Sequence, residues 1–246
     1  MRVYIYKVSL LLAALVMPVM AAKAQDDVEY RMEIGAGLGL TAYQGDFSSS
    51  ITKNMQPTGA VIFRRVLNPR SAVRFSGMYT RLKGDMRNVD TVYPDLVNEG
   101  YSFSNALVDV SATYEYNFMP YGTGHEYRGA KRLVPFLSLG LGITYANCSS
   151  GTWDYASLTN PHSMTKGTVA ANLPLGFGMK YKIGDRTNLS VDWQMHFSMS
   201  DQLDGVQDPY RLKSDGLFKN TDCYSTLTVG LTYSFSAKCP TCMKDR

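Results

Sequence analysis

From Asn188 to Ser200 the chain alternates without a break. Leu189, Val191, Trp193, Met195, Phe197 and Met199 fall at one parity, and Asn188, Ser190, Asp192, Gln194, His196, Ser198 and Ser200 at the other. Side chains on a strand point alternately to opposite faces, so this segment has one wholly apolar face and one polar face carrying a carboxylate. A soluble sheet half-buried on a core has the same pattern. Length narrows the choice, because about 9–11 residues of alternation is what a tilted strand needs to cross a bilayer.

Seven further segments alternate. Tyr30–Tyr43 sets Met32, Ile34, Ala36, Leu38 and Leu40 against Glu33, Gly35, Gly37, Gly39 and Thr41. Thr58–Leu67 is less regular, with Val61 and Phe63 against Ile62 and Arg64, and Ala72–Leu82 sets Val73, Phe75 and Tyr79 against Arg74, Ser76 and Thr80. Phe103–Phe118 opposes Val108, Val110, Ala112, Tyr114, Tyr116 and Phe118 to Asp109, Ser111, Thr113, Glu115 and Asn117. Leu133–Tyr145, Thr168–Lys182 and Asp222–Phe235 follow the same rule, with Leu, Ile, Val, Phe and Tyr on one face and Ser, Thr, Gly and Lys180 on the other.

The connections discriminate between a soluble sandwich and a membrane barrel. Asn68-Pro69-Arg70 and the stretch around Ile183-Gly184-Asp185-Arg186 are tight turns, whereas roughly Gln44–Pro57, Lys83–Ser102, Ala146–Gly167 and Asp201–Thr221 are long and polar. Long and short connections alternate, with Met119–Arg132 longer than a simple turn. With an exported N-terminus in the periplasm, every long loop falls outside the cell, as in outer-membrane barrels. A soluble sandwich has no reason to sort its loops by parity.

Residues 1–24 read as a secretory signal: Arg2 and Lys7, an apolar run from Val8 to Met20 containing Pro18, then Ala22-Lys23-Ala24. The run is too short for a spanning helix. Its removal takes away Arg2, Lys7 and Lys23 and no acid, so the formal charge falls from +4 to +1. The basicity of the whole chain therefore gives no reason to expect a nucleic-acid partner. Residues 25–236 are expected to form one all-β domain, an eight-stranded antiparallel transmembrane β-barrel of the outer membrane, with 237–246 as a periplasmic tail.

Two placements follow from the phase. Tyr116, Phe118, Tyr181, Tyr233 and Phe235 sit at the periplasmic ends of strands on the lipid-facing phase, where an aromatic girdle belongs. Glu33, Arg64, Arg74, Glu115, Lys180 and Asp192 share the other phase. An Arg facing lipid near the midplane costs about 2–4 kcal/mol, so these charges are expected to pair inside a narrow, plugged lumen.

Several motifs read as structural. Gly35-Ala36-Gly37-Leu38-Gly39 neither follows a strand nor opens a helix, and reads as small residues on an inner barrel face. His196-Phe197-Ser198 resembles the pair some lipid deacylases use, yet it shares the lumen phase with Asp192, so interior hydrogen bonding is expected and no catalytic residue is assigned. Cys239 and Cys242, in a C-x-x-C after the last strand, are candidates for a local disulfide in an oxidising compartment; Cys148 and Cys223 fall near the outer rim on strands that are not neighbours. Asp201, Asp204, Asp208 and Asp215, with Asp46, read as solvated loop acids and not a calcium site. No cofactor, metal or small-molecule substrate is expected, and no enzymatic activity.

Tyr43-Gln44-Gly45-Asp46, Asn68-Pro69-Arg70, Pro135-Phe136-Leu137-Ser138-Leu139-Gly140-Leu141-Gly142, Pro174-Leu175-Gly176-Phe177-Gly178-Met179-Lys180-Tyr181 and Asp201-Gln202-Leu203-Asp204-Gly205-Val206 resemble a Bacteroidota outer-membrane barrel family. That family includes PorG, a component of the type IX protein secretion system. The resemblance runs over the mature chain in order, except that in the third outer loop only Gly151-Thr152-Trp153 looks related. It implies a non-enzymatic barrel in outer-membrane lipid whose periplasmic side meets ring proteins of the PorK and PorN type. The surfaces facing that side carry Arg70, Arg128, Lys131, Arg132 and Arg186. The rival expectation is a structural or adhesive barrel acting through its outer loops.

Overall fold

Alternating β-branched, aromatic and small residues leave the backbone no cheaper way to satisfy its polar groups in a membrane than a sheet without edges. The computed structural model has that form. It describes residues 30–45, 54–85, 101–123, 130–148, 152–153, 167–200, 202–203 and 222–237. The strands are β1 (Tyr30–Gln44), β2 (Gln56–Asn68), β3 (Ser71–Asp85), β4 (Tyr101–Asn117), β5 (Leu133–Asn147), β6 (Thr152–Trp153), β7 (Thr168–Lys182), β8 (Thr187–Ser198) and β9 (Cys223–Ala237).

Eight of them close into a barrel in the order β1-β2-β3-β4-β5-β7-β8-β9, every neighbour antiparallel, with β9 returning to β1. The short β6 stands outside the ring and pairs with the outer start of β4 through Tyr101↔Trp153 and Ser102↔Thr152. The first and last barrel strands pair from Tyr30↔Ala237 to Gln44↔Cys223. Residues 1–24, Cys239, Cys242, Arg128, the acids Asp46, Asp201, Asp204, Asp208 and Asp215, and most of the outer connections lie outside the described residues.

The phase expected from the sequence is the one observed. Leu38, Val61, Val110, Leu141, Ile143 and Val169 are exposed on the outer wall, while Glu33, Arg64, Glu115, Lys180 and Ser198 are fully buried inside it. A closed wall with an apolar exterior and a polar interior is the transmembrane barrel arrangement. Tyr116, Phe118, Tyr181 and Tyr233 are exposed on its periplasmic end. Near the other end the register aligns Tyr79, Val108, Tyr145 and Val169 in one row around β3, β4, β5 and β7.

Two local features shape the wall. A Cβ on Gly35 would lie 2.0 Å from the Leu231 carbonyl oxygen, and one on Gly140 would lie 2.1 Å from that of Ala112. Neighbouring backbones approach that closely at these two positions, and only glycine fits. Pro174 has no N–H to give β5, and the β5–β7 ladder is interrupted between Leu139↔Leu175 and Gly142↔Asn172.

Candidate functional site

The lumen is filled by side chains from its outer mouth to its inner one. In the periplasmic half, β2 and β3 place Arg64 directly opposite Arg74, a like-charge pairing that is unfavourable alone. Glu115 of β4 resolves it. Arg64 Nε lies 2.7 Å from Glu115 Oε2, Arg74 Nε 3.4 Å from Oε1, and Lys180 Nζ 2.5 Å from Oε2. The same Arg64 reaches Glu33 at 2.6 Å, and Arg74 reaches Asp192 at 3.2 Å. All six charges named from sequence are thus brought into one continuous network. Three cations face three carboxylates, none more than 3% exposed. β3 and β8 stand on opposite sides of the ring, so the Arg74–Asp192 pair crosses the full lumen.

Tyr121 closes this half from below. It follows β4 in the long periplasmic connection, and its hydroxyl donates to Glu33 Oε1 at 2.6 Å. Its ring, with that of Phe136, lies under the Lys180 ammonium at 4.8 and 4.6 Å. Val66 and Val134 complete an apolar seal around it. Burial, then the adjacent Glu33 carboxylate, hold the Tyr121 phenol well above its ordinary pKa. No sequence periodicity marks Tyr121, because it lies in a connection.

The extracellular half is different. Asp109 Oδ2 accepts from Thr144 Oγ1 at 2.9 Å, Asn172 Nδ2 at 2.5 Å and the Tyr224 hydroxyl at 2.9 Å. β4 and β9 also stand opposite, so the Asp109–Tyr224 bond is a second full crossing. His196 stacks on Tyr224 with ring centroids 4.5 Å apart, and its Nδ1 is 4.0 Å from Asp109 Oδ2. The hydrogen bonding expected of His196 is not what holds it: among the described residues neither ring nitrogen has a hydrogen-bond partner. Packing on Tyr224 and the nearby carboxylate position the ring instead. Ser198 accepts from the Ser200 amide.

Above that layer sits an apolar stopper made of Tyr43, Met78, Leu82, Phe103, Leu107, Ala146, Cys148, Ala170, Leu203 and Tyr224. Leu203 comes from the last outer loop. Its amide donates to Asp222 Oδ2 at 2.8 Å, and its carbonyl accepts from Asn105 Nδ2 at 3.0 Å. The Tyr43 hydroxyl takes the other Asp222 oxygen at 2.5 Å, and its ring meets Phe103 edge-on. The Cys148 thiol faces the Leu203 carbonyl at 3.5 Å.

The periplasmic rim carries the other candidate residues. Arg70, Lys131 and Arg132 are exposed, and main-chain bonds tie their segments together. Asn117 N donates to Arg70 O, Tyr121 N to Pro69 O, Lys131 N to Pro120 O and Lys182 N to Arg132 O, at 2.8–3.1 Å. Among the described residues of these turns Asp185 is the one carboxylate. Arg186 is set apart from the others. It donates to the Tyr30 hydroxyl at 3.0 Å and the Tyr233 hydroxyl at 3.2 Å and lies over the Tyr30 ring, so it belongs to the aromatic girdle.

A family model described as a domain of unknown function, DUF6089, matches residues 8–244. No curated protein matches the sequence. Among solved structures, the attachment invasion locus protein Ail of Yersinia pestis aligns at 13% identity over 84% of this chain and 99% of its own, with a TM-score of 0.47. Neisserial surface protein A aligns at 14% identity over 83% and 97%, with a TM-score of 0.45. The outer membrane protein OprG of Pseudomonas aeruginosa aligns at 13% over 87% and 100%, also at 0.45.

Proposed function

The chain belongs to the family described as a domain of unknown function, DUF6089, and we propose that it is an outer-membrane component of the type IX protein secretion system. In this reading residues 1–24 direct export, and the barrel anchors or organises the periplasmic ring of that machinery. It performs no chemistry. The order of motifs from Tyr43-Gln44-Gly45-Asp46 to Asp201-Gln202-Leu203-Asp204 supports the assignment by resemblance to the PorG family.

The observation that carries the mechanism is the periplasmic rim. Arg70, Lys131 and Arg132 are exposed on segments whose backbones are bonded to one another, so their charges are presented from a fixed base. Such a surface favours an acidic partner and speeds its encounter. Tyr121 packs buried across the lower end of the lumen and Leu203 across its upper end, an arrangement that suits an anchor better than a pore.

The test is a pull-down of ring proteins of the PorK and PorN type from detergent-solubilised membranes. The wild-type barrel is expected to recover them, and the R70E/K131E/R132E triple variant to lose them while folding normally. Secretion that stays intact in a deletion strain, with no ring protein recovered by the wild type, sinks the proposal.

A further inference from the structure

The outer wall of the barrel strands is almost free of charge. Among their lipid-facing positions only Arg65, Arg81, Lys83 and Asp85 are ionisable as acids or bases of the Asp, Glu, Lys and Arg type. Arg65 lies at the periplasmic end of β2, level with Met32 and Val73. The other three follow one another on the outer end of β3. Arg81 and Lys83 are both exposed, and Asp85 is engaged within the protein.

Their height is fixed by the register. Tyr79, 54% exposed, stands in one row with Val108 and Tyr145, where amphipathic rings mark the edge of the hydrocarbon. Arg81 is the next outward residue, level with Ala106 and Asn147, and Lys83 the next, level with Ser104. A strand rises about 6.7 Å per two residues, and a tilt of about 40° shortens that to about 5 Å along the membrane normal. Arg81 therefore stands about 5 Å beyond the hydrocarbon edge, within a headgroup layer about 5–8 Å deep, and Lys83 about 10 Å beyond it, just above that layer, with a flexible stem that brings its ammonium back down. An arginine at the phosphate level with a lysine directly above it offers a planar fork and a mobile point charge to one anionic group. The corresponding outer ends of β7, β8 and β9 carry no charged residue on this face.

We propose that Arg81 and Lys83 form a binding site for a phosphate of the outer-leaflet glycolipid. The site holds one lipid against the β3–β4 side of the barrel, with the acyl chains along Tyr79 and Phe75, both half-exposed on the same face. It does not depend on the secretion reading, because it faces the opposite leaflet from Arg70, Lys131 and Arg132.

The experiment is native mass spectrometry of the refolded full-length barrel titrated with lipid A and with chemically dephosphorylated lipid A. The wild type is expected to bind the phosphorylated form about tenfold more tightly, the equivalent of one charge-assisted contact. R81Q/K83Q should lose that preference, and R65Q should keep it. Should R81Q/K83Q fail to give the heat-modifiable band of a folded barrel, R81K/K83R supplies the readout and retains the preference. Equal binding of the two lipids by the wild type overturns the proposal, as does a preference that persists in folded R81Q/K83Q. Displacement of the lipid by inorganic phosphate alone would mark a soluble-anion site and also overturn it.

Discussion

On the periplasmic side of the lumen Glu115 is ringed by three cations, whereas on the extracellular side Asp109 is held by hydroxyls and an amide beneath an apolar layer. Both halves are full, but they fail differently. A buried ion network is held by mutual dependence, and deleting one member leaves its partners charged and dry. An apolar stopper is held by volume, and deleting a methyl group leaves a gap of that size. A filled barrel is therefore not one material, and its sensitivity to substitution is set by depth.

The largest effect is expected of Glu115→Gln. It leaves Arg64, Arg74 and Lys180 short of one charge, and a loss of about 3–5 kcal/mol is expected in urea unfolding of the reconstituted barrel. Replacing Arg74 and Asp192 together by Met and Leu should cost less than replacing Arg74 alone, because the second change removes the orphaned carboxylate. If the single and double variants are equally stable, the network reading is wrong. Leu107→Ala in the stopper should cost about 3 kcal/mol, as a cavity and not as a charge imbalance, so its effect is insensitive to salt.

Tyr121→Phe comes next, at about 1.5 kcal/mol for a hydrogen bond to a carboxylate that keeps its arginine. This one has a pH signature. A phenol whose folded pKa lies above its ordinary 10.0 binds its proton more tightly in the native state. Its contribution is complete below pH 10 and is lost as the pH rises from there toward the folded value. Alkaline unfolding curves of wild type and Tyr121→Phe should therefore converge above that point. Smallest of all is Trp193→Phe on the lipid face beside Phe177, with rings 5.4 Å apart, expected within about 0.5 kcal/mol. Quenching of Trp193 by brominated acyl chains checks its exposure independently.

How much of this was readable in the chain depends on whether a residue obeyed the period of two. The alternation gave the strands, their phase and the set of six charges, since each sits on the polar parity of a clean strand. Which carboxylate would stand between which cations was not readable. That needs the register, and Arg64 opposite Arg74 is a pairing no sequence rule would choose. Asp109 stands on the lumen phase of β4, but nothing in its local sequence marks it as the centre of a cluster. Its partners Thr144, Asn172 and Tyr224 are spread over three other strands. Met78, Leu82 and Leu107 are apolar on a parity expected to be polar, and that lapse was the available signal of the stopper. Tyr121 and Leu203 come from connections, where side-chain direction has no periodic trace.

The two bonds that span the lumen, Arg74 to Asp192 and Asp109 to Tyr224, join strands that face each other across the ring at two different levels. An empty tube of hydrogen-bonded strands can ovalise with little change in its ladders. Here flattening along either axis would stretch one of these struts or crush its surroundings. The barrel is accordingly a braced peg, and a load applied at its periplasmic rim is passed to the wall and the bilayer instead of being absorbed as deformation.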